Sequence, residues 1–147
     1  MAELVRFPMH DGKGGVVGLA ELLALVPDND WVWSILDFDG IGGVPDGFEF
    51  QEFRSAVHAS PAGHVMSWNQ VRRFAAGVGQ FFDLLLVAVE DRGRLSPERL
   101  AVDDFGACLL VLEAVDSGAW EVTVGDEAEA LAGLAGRLRA RYGAEQG

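Results

Sequence analysis

Cysteine, lysine and long apolar runs are all scarce in this chain, and each shortage narrows what it can be. A single cysteine, Cys108, stands among 147 residues. No disulfide can therefore form within the chain, which suits a reducing cytosol. Cys108 opens the run Cys108-Leu-Leu-Val-Leu112 with no histidine nearby in sequence, so it reads as a small buried hydrophobe and not as a nucleophile. The longest apolar stretches, Leu84–Val89 and Leu109–Leu112, fall far short of the roughly 20 residues that span a bilayer as a helix. The opening Met-Ala-Glu-Leu-Val-Arg-Phe lacks the basic and apolar segments of a secretory signal, and a cytoplasmic location is expected.

Positive charge is equally scarce. Lys13 is the only lysine, and 11 basic residues face 23 acidic ones for a net charge of −12. Such a surface repels phosphate backbones and anionic membranes, so neither nucleic acid nor membrane is expected as a partner. It attracts basic proteins and speeds their encounter. His10, His58 and His64 do not have zinc-site spacing, and no metal is expected. The glycines form neither a Gly-x-Gly-x-x-Gly fingerprint nor a Gly-x-Ser-x-Gly elbow, and Asp11-Gly-Lys-Gly-Gly15 lacks the phosphate-loop spacing. No cofactor is expected.

What the chain has is apolar material: half of its residues, enough for one core in a single domain over residues 1–147. Val16, Leu19, Leu22, Leu23 and Val26 mark one helix face, stopped by Pro27 and the turn Asp28-Asn29-Asp30. Trp31 to Phe38 is aromatic and β-branched and reads as a strand. Gly40 to Pro45 reads as a loop. A short helix follows, with Asp46 as cap, Glu49 completing the reciprocal cap, and Phe50, Phe53 and Val57 facing inward. Ser67 and Gln70 form a capping box for a further helix, with Val71, Phe74, Ala75, Val78 and Phe82 on one stripe. Gly77 and Gly79 either allow a close backbone approach there or end that helix early. Leu84–Val89 is apolar on both parities, as in a strand covered on two faces. Ser96-Pro97-Glu98 starts a brief helix. Ala107–Val115 and Trp120–Val124 read as a hairpin, with Trp120, Val122 and Val124 inward. A last helix, capped by Asp126 and with Glu129 at its third position, turns Leu131, Leu134, Ala135, Leu138 and Tyr142 to the core; Arg137, Arg139 and Arg141 complement its dipole. The expected fold is α+β, with about four strands and helices packed on the sheet, in the order α-β-α-α-β-(short α)-β-β-α. The four tryptophans, at 31, 33, 68 and 120, are expected in the core.

Two stretches carry chemistry. Ile35-Leu-Asp-Phe-Asp-Gly-Ile41 resembles the first motif of haloacid-dehalogenase-type phosphatases, a hydrophobic strand ending in Asp-x-Asp-Gly. That resemblance implies a magnesium-dependent enzyme in which Asp37 attacks phosphorus and Asp39 handles the proton, both on one strand face. Asp103-Asp104 would serve as a later metal-binding pair. Here, however, a helix precedes the motif, Ile41 stands where threonine or valine is usual, and the lone lysine lies upstream.

The wider texture resembles the small immunity proteins of bacterial toxin systems. Trp31-x-Trp33-x-Ile-Leu-Asp-Phe-Asp-Gly40, Ser60-Pro-x-Gly63 with Ser67-Trp68, and Asp116-Ser-x-x-Trp120-Glu-Val122 leading into an acid-started helix carry that likeness. It implies an acidic, non-enzymatic inhibitor that binds and occludes a basic toxin domain. The contact residues it suggests are Asp37, Asp39, Asp46, Glu49 and Glu52. A small phosphatase using Asp37 and Asp39, or a structural or assembly component, are the alternatives.

Overall fold

The computed structural model describes residues 3–9, 17–42, 50–60, 62–100, 105–115, 118–125 and 128–142. Its frame is one antiparallel sheet of six strands: β1 (Glu3–Pro8), β2 (Val32–Gly42), β3 (His64–Met66), β4 (Val78–Val89), β5 (Leu110–Val115) and β6 (Ala119–Val124), in the order β1-β6-β5-β4-β2-β3. The helices are α1 (Leu19–Leu23), α2 (Phe50–Ala59), α3 (Trp68–Gly77), α4 (Pro97–Leu100) and α5 (Leu134–Tyr142).

The fold is mixed α+β, but the expected count of about four strands is too low. β1 was missed although Val5, Phe7 and Met9 alternate inward, the period-2 signal of a half-buried strand. β3 is three residues long and gives no periodic signal at all. The chain starts on the edge strand β1, not on a helix, and β3 stands between α2 and α3. The α3 stripe also stops early. Val71, Phe74 and Ala75 are buried on the helix as expected, whereas Val78 and Phe82 belong to β4, which follows Gly77 directly. The terminal helix is broken as well. A 3₁₀ turn at Glu129–Leu131 is separated from α5 by Gly133 at φ +81°, a conformation glycine adopts without steric penalty. Leu131, Leu134, Ala135 and Leu138 are nevertheless all buried.

Most apolar material lies on one face of the sheet. Val5, Phe7, Trp33, Ile35, Phe38, Leu84, Leu86, Leu112, Trp120 and Val122 meet residues of α1, α3, α5 and the end of α2 there. The indoles keep their N–H groups satisfied inside this core, as burial requires. Trp120 Nε1 donates to the Val17 carbonyl at 2.8 Å, Trp33 Nε1 to Asn29 Oδ1 at 3.1 Å, and Trp68 Nε1 to Asp28 Oδ1 at 3.1 Å. α1 ends at Leu23, earlier than the Pro27 stop that the spacing predicts, and the Asp28-Asn29 segment beyond it is the acceptor for two indoles. Trp33 stacks on Trp68 with ring centroids 5.3 Å apart, and Trp31 lies tilted against Trp33 at 6.3 Å. Trp31 is only partly buried, at the rim.

The capping box is present: Gln70 Oε1 accepts from Ser67 N–H at 2.9 Å, and Ser67 Oγ accepts from Gln70 N–H at 3.2 Å. The caps expected at Asp46, Glu49 and Asp126 lie outside the described residues. Tyr142 ties α5 down. Its ring stacks on Phe7 at 4.6 Å and its hydroxyl donates to Glu21 at 2.6 Å. Burial, then the Glu21 carboxylate, pushes the phenol up to about 12.

Among the described residues the other face of the sheet is only partly covered. Val87, Val89 and Val111 form a second, smaller cluster there, overlain by Leu95, Leu100, Phe105 and Cys108 from the connection between β4 and β5. No helix among the described residues is long and apolar enough to cross a membrane.

Candidate functional site

The arrangement of the acidic residues follows from one irregularity in β2. Ile35 pairs with Leu86 and Asp37 with Leu85, so Leu36 is an extra residue in the ladder. A bulge of this kind shifts the alternation of every residue beyond it. Before it, the odd residues Trp33 and Ile35 face the main core; after it, the even residue Phe38 does, edge-to-face with Phe74 at 5.5 Å. Asp37 and Asp39 are thereby turned to the partly covered face. Without the bulge both carboxylates would point into hydrocarbon.

Register places further acids beside them. Asp39 is opposite Asp83 on β4. Asp37 is opposite Leu85, which is opposite Glu113 on β5, which is opposite Glu121 on β6. The line ends at Arg6 of β1, the cross-strand partner of Glu121, at 3.8 Å. Asp37, Asp39, Asp83, Glu113 and Glu121 therefore share one face of four adjacent strands. With strands about 4.8 Å apart, the line from Asp37 to Glu121 spans about 14 Å. Two of its cross-strand pairs, Asp39 with Asp83 and Glu113 with Glu121, join like charges directly opposite one another, a placement that works against folding.

At the β2 end, α2 runs beside the part of the strand that β3 does not reach. Val57 enters the core and His58 Nε2 lies 2.6 Å from Asp37 Oδ1. Both side chains are about half exposed, so the contact is a hydrogen bond at the rim and not a buried dyad. His64, on β3, has its pKa lowered by burial.

Of the five contact residues suggested by sequence, Asp37 and Asp39 are brought together on this face. Asp46 and Glu49 lie outside the described residues, and of Glu52 only the backbone, in α2, is described. Sequence reasoning missed Asp83, Glu113 and Glu121. Each sits at an outward position of a strand, a readable signal, but their convergence depends on strand order.

The phosphatase-like motif needs a correction too. The spacing predicts a strand ending at Asp-Phe-Asp-Gly, with a loop beginning at Gly40, whereas β2 continues to Gly42, paired antiparallel with β4 along that length while β3 pairs only Trp33, Ser34 and Ile35. Asp37 and Asp39 therefore lie within a sheet face and not at a strand-end crevice. Among the described residues no three His, Cys, Asp or Glu side chains group as a metal site; Asp103, Asp104 and Lys13 lie outside those residues.

Comparison with protein-family profiles, curated proteins and solved structures found no match for this chain.

Proposed function

We propose that this chain is a non-enzymatic binding protein that presents its carboxylate-bearing sheet face to a basic protein partner, and that the partner is a toxin domain neutralised by being covered. The observation that carries the reading is the alignment of Asp37, Asp39, Asp83, Glu113 and Glu121 on one face of four adjacent strands. Two like-charge cross-strand pairs oppose folding, and a cationic surface laid across them would turn that repulsion into attraction. The net charge of −12 extends the same field outward and steers a basic partner toward the face. The likeness to immunity proteins supplies the class of partner.

The test is co-expression with the product of the adjacent gene, followed by binding kinetics on the purified pair. A complex is expected whose association rate falls about tenfold or more as salt rises from low to physiological levels. The triple variant Asp39→Asn, Glu113→Gln, Glu121→Gln should lose binding while remaining folded. Glu98→Gln and Glu129→Gln, away from the face, should bind normally. A complex indifferent both to salt and to the triple variant overturns the reading.

A further inference from the structure

On the opposite side of the sheet the charge pattern reverses. Asn69, Arg72, Arg73 and Ala76 recur at the spacing of one helical stripe, and that stripe of α3 faces Ala20 and Leu23 of α1 across a groove of about 590 Å³. Volumes of roughly 300–1,000 Å³ are typical of small-molecule sites. The floor is hydrocarbon from two helices, the rim is two guanidinium groups and a carboxamide, and no carboxylate lines it among the described residues. In a chain with so few cations, two adjacent arginines on one groove are a local inversion of charge.

The two arginines are held differently. The Arg72 guanidinium lies 5.6 Å over the Trp68 ring and 3.8 Å from Asp28, and both charged side chains are exposed. Arg73 is exposed and makes no ion pair or hydrogen bond among the described residues. A planar guanidinium matches a carboxylate with two parallel N–H donors, and the Asn69 amide can donate a further bond.

We infer that the α1–α3 groove is a binding site for a small carboxylate with an apolar body. The anionic end sits between Arg73 and Asn69 and the apolar end lies on Ala20, Leu23 and Ala76. This site is independent of the carboxylate face and survives if the toxin-binding reading fails.

The experiment uses the full chain and three probes of one shape: phenylbutyrate, phenylbutanol and phenylbutylamine. Binding is read from backbone amide shifts of α1 and α3. Phenylbutyrate should bind saturably with one site per chain, and the alcohol and the amine at least tenfold more weakly. Arg73→Gln, an exposed helical change that preserves the fold, should weaken phenylbutyrate at least about tenfold, the range expected for a charge-assisted contact. Ala76→Leu, which fills the floor, should abolish binding, and Glu121→Gln on the other face should change nothing. No saturable shift up to the solubility of the probe, equal binding of the alcohol, or binding unaltered by Arg73→Gln each overturns the inference.

Discussion

Asp39 and Asp83 oppose each other across β2 and β4, and removing one of these charges should stabilise the protein. Directly opposed residues place their Cβ atoms about 4.5–5.5 Å apart. With the carboxylates splayed to about 6 Å, two unit charges in a water-like dielectric repel by about 0.7 kcal/mol. A Debye length of about 8 Å at physiological salt cuts this to about 0.3 kcal/mol, and one of about 3 Å at molar salt leaves about 0.1 kcal/mol. Asp39→Asn should therefore raise the melting temperature at low salt by about 1–3 °C. Asp83 makes other interactions as well, so the pairwise part is isolated by a double-mutant cycle with Asp83→Asn. Urea unfolding of the four proteins at low, physiological and molar salt gives the coupling energy directly. Its sign should be repulsive and its size should shrink with each increase in salt. A coupling that is zero at low salt, attractive, or independent of salt refutes the reasoning, because it would mean the two carboxylates do not face each other.

Three further expectations concern the fold. Trp120→Phe leaves the buried Val17 carbonyl without its 2.8 Å donor and should cost about 1–3 kcal/mol in urea unfolding; an unchanged midpoint would show that another donor takes over. Gly63 holds φ +79°, and a β-carbon added there would collide with the Ser34 side chain, the Ile35 carbonyl and the Leu36 side chain. Gly63→Ala should cost about 1–3 kcal/mol or more and disrupt the β2–β3 pairing, seen as loss of amide protection at Ile35. Tyr142 has its pKa raised from 10.0 to about 12 by burial and by Glu21. The folded state thus holds this proton more tightly than the unfolded state, and the contribution is full below pH 10.0 and lost as pH climbs toward about 12. Thermal unfolding across that window should show a stability decline that Tyr142→Phe makes shallower.

The sequence was most informative where one residue type carries one local task. Ser67 and Gln70 satisfy each other's amides without help from the rest of the chain, and the inward Trp120, Val122 and Val124 alternate as written. β4 was legible as a central strand because it is apolar on both parities and does have neighbours on both sides. Non-local features were hidden. The apolar stripe of α3 continues in register into β4, so periodicity alone could not mark the change at Gly77. The bulge at Leu36 leaves no mark in composition, because Leu36 suits either face. Asp37 and Asp39 are legible as lying on one side of their strand, but their neighbours Asp83, Glu113 and Glu121 stand 44 to 84 residues away in sequence, joined only by the β2-β4-β5-β6 order.

The stacked indoles of Trp33 and Trp68 join the sheet to α3 through two chromophores close enough to share their electronic excitation. Coupled transitions of this kind split, and the splitting depends on the mutual orientation of the rings. Circular dichroism in the indole bands therefore carries an intrinsic optical signature of α3 seated on β2, needing no added label. Loosening of that one helix would register there while the backbone signal of the sheet stayed unchanged.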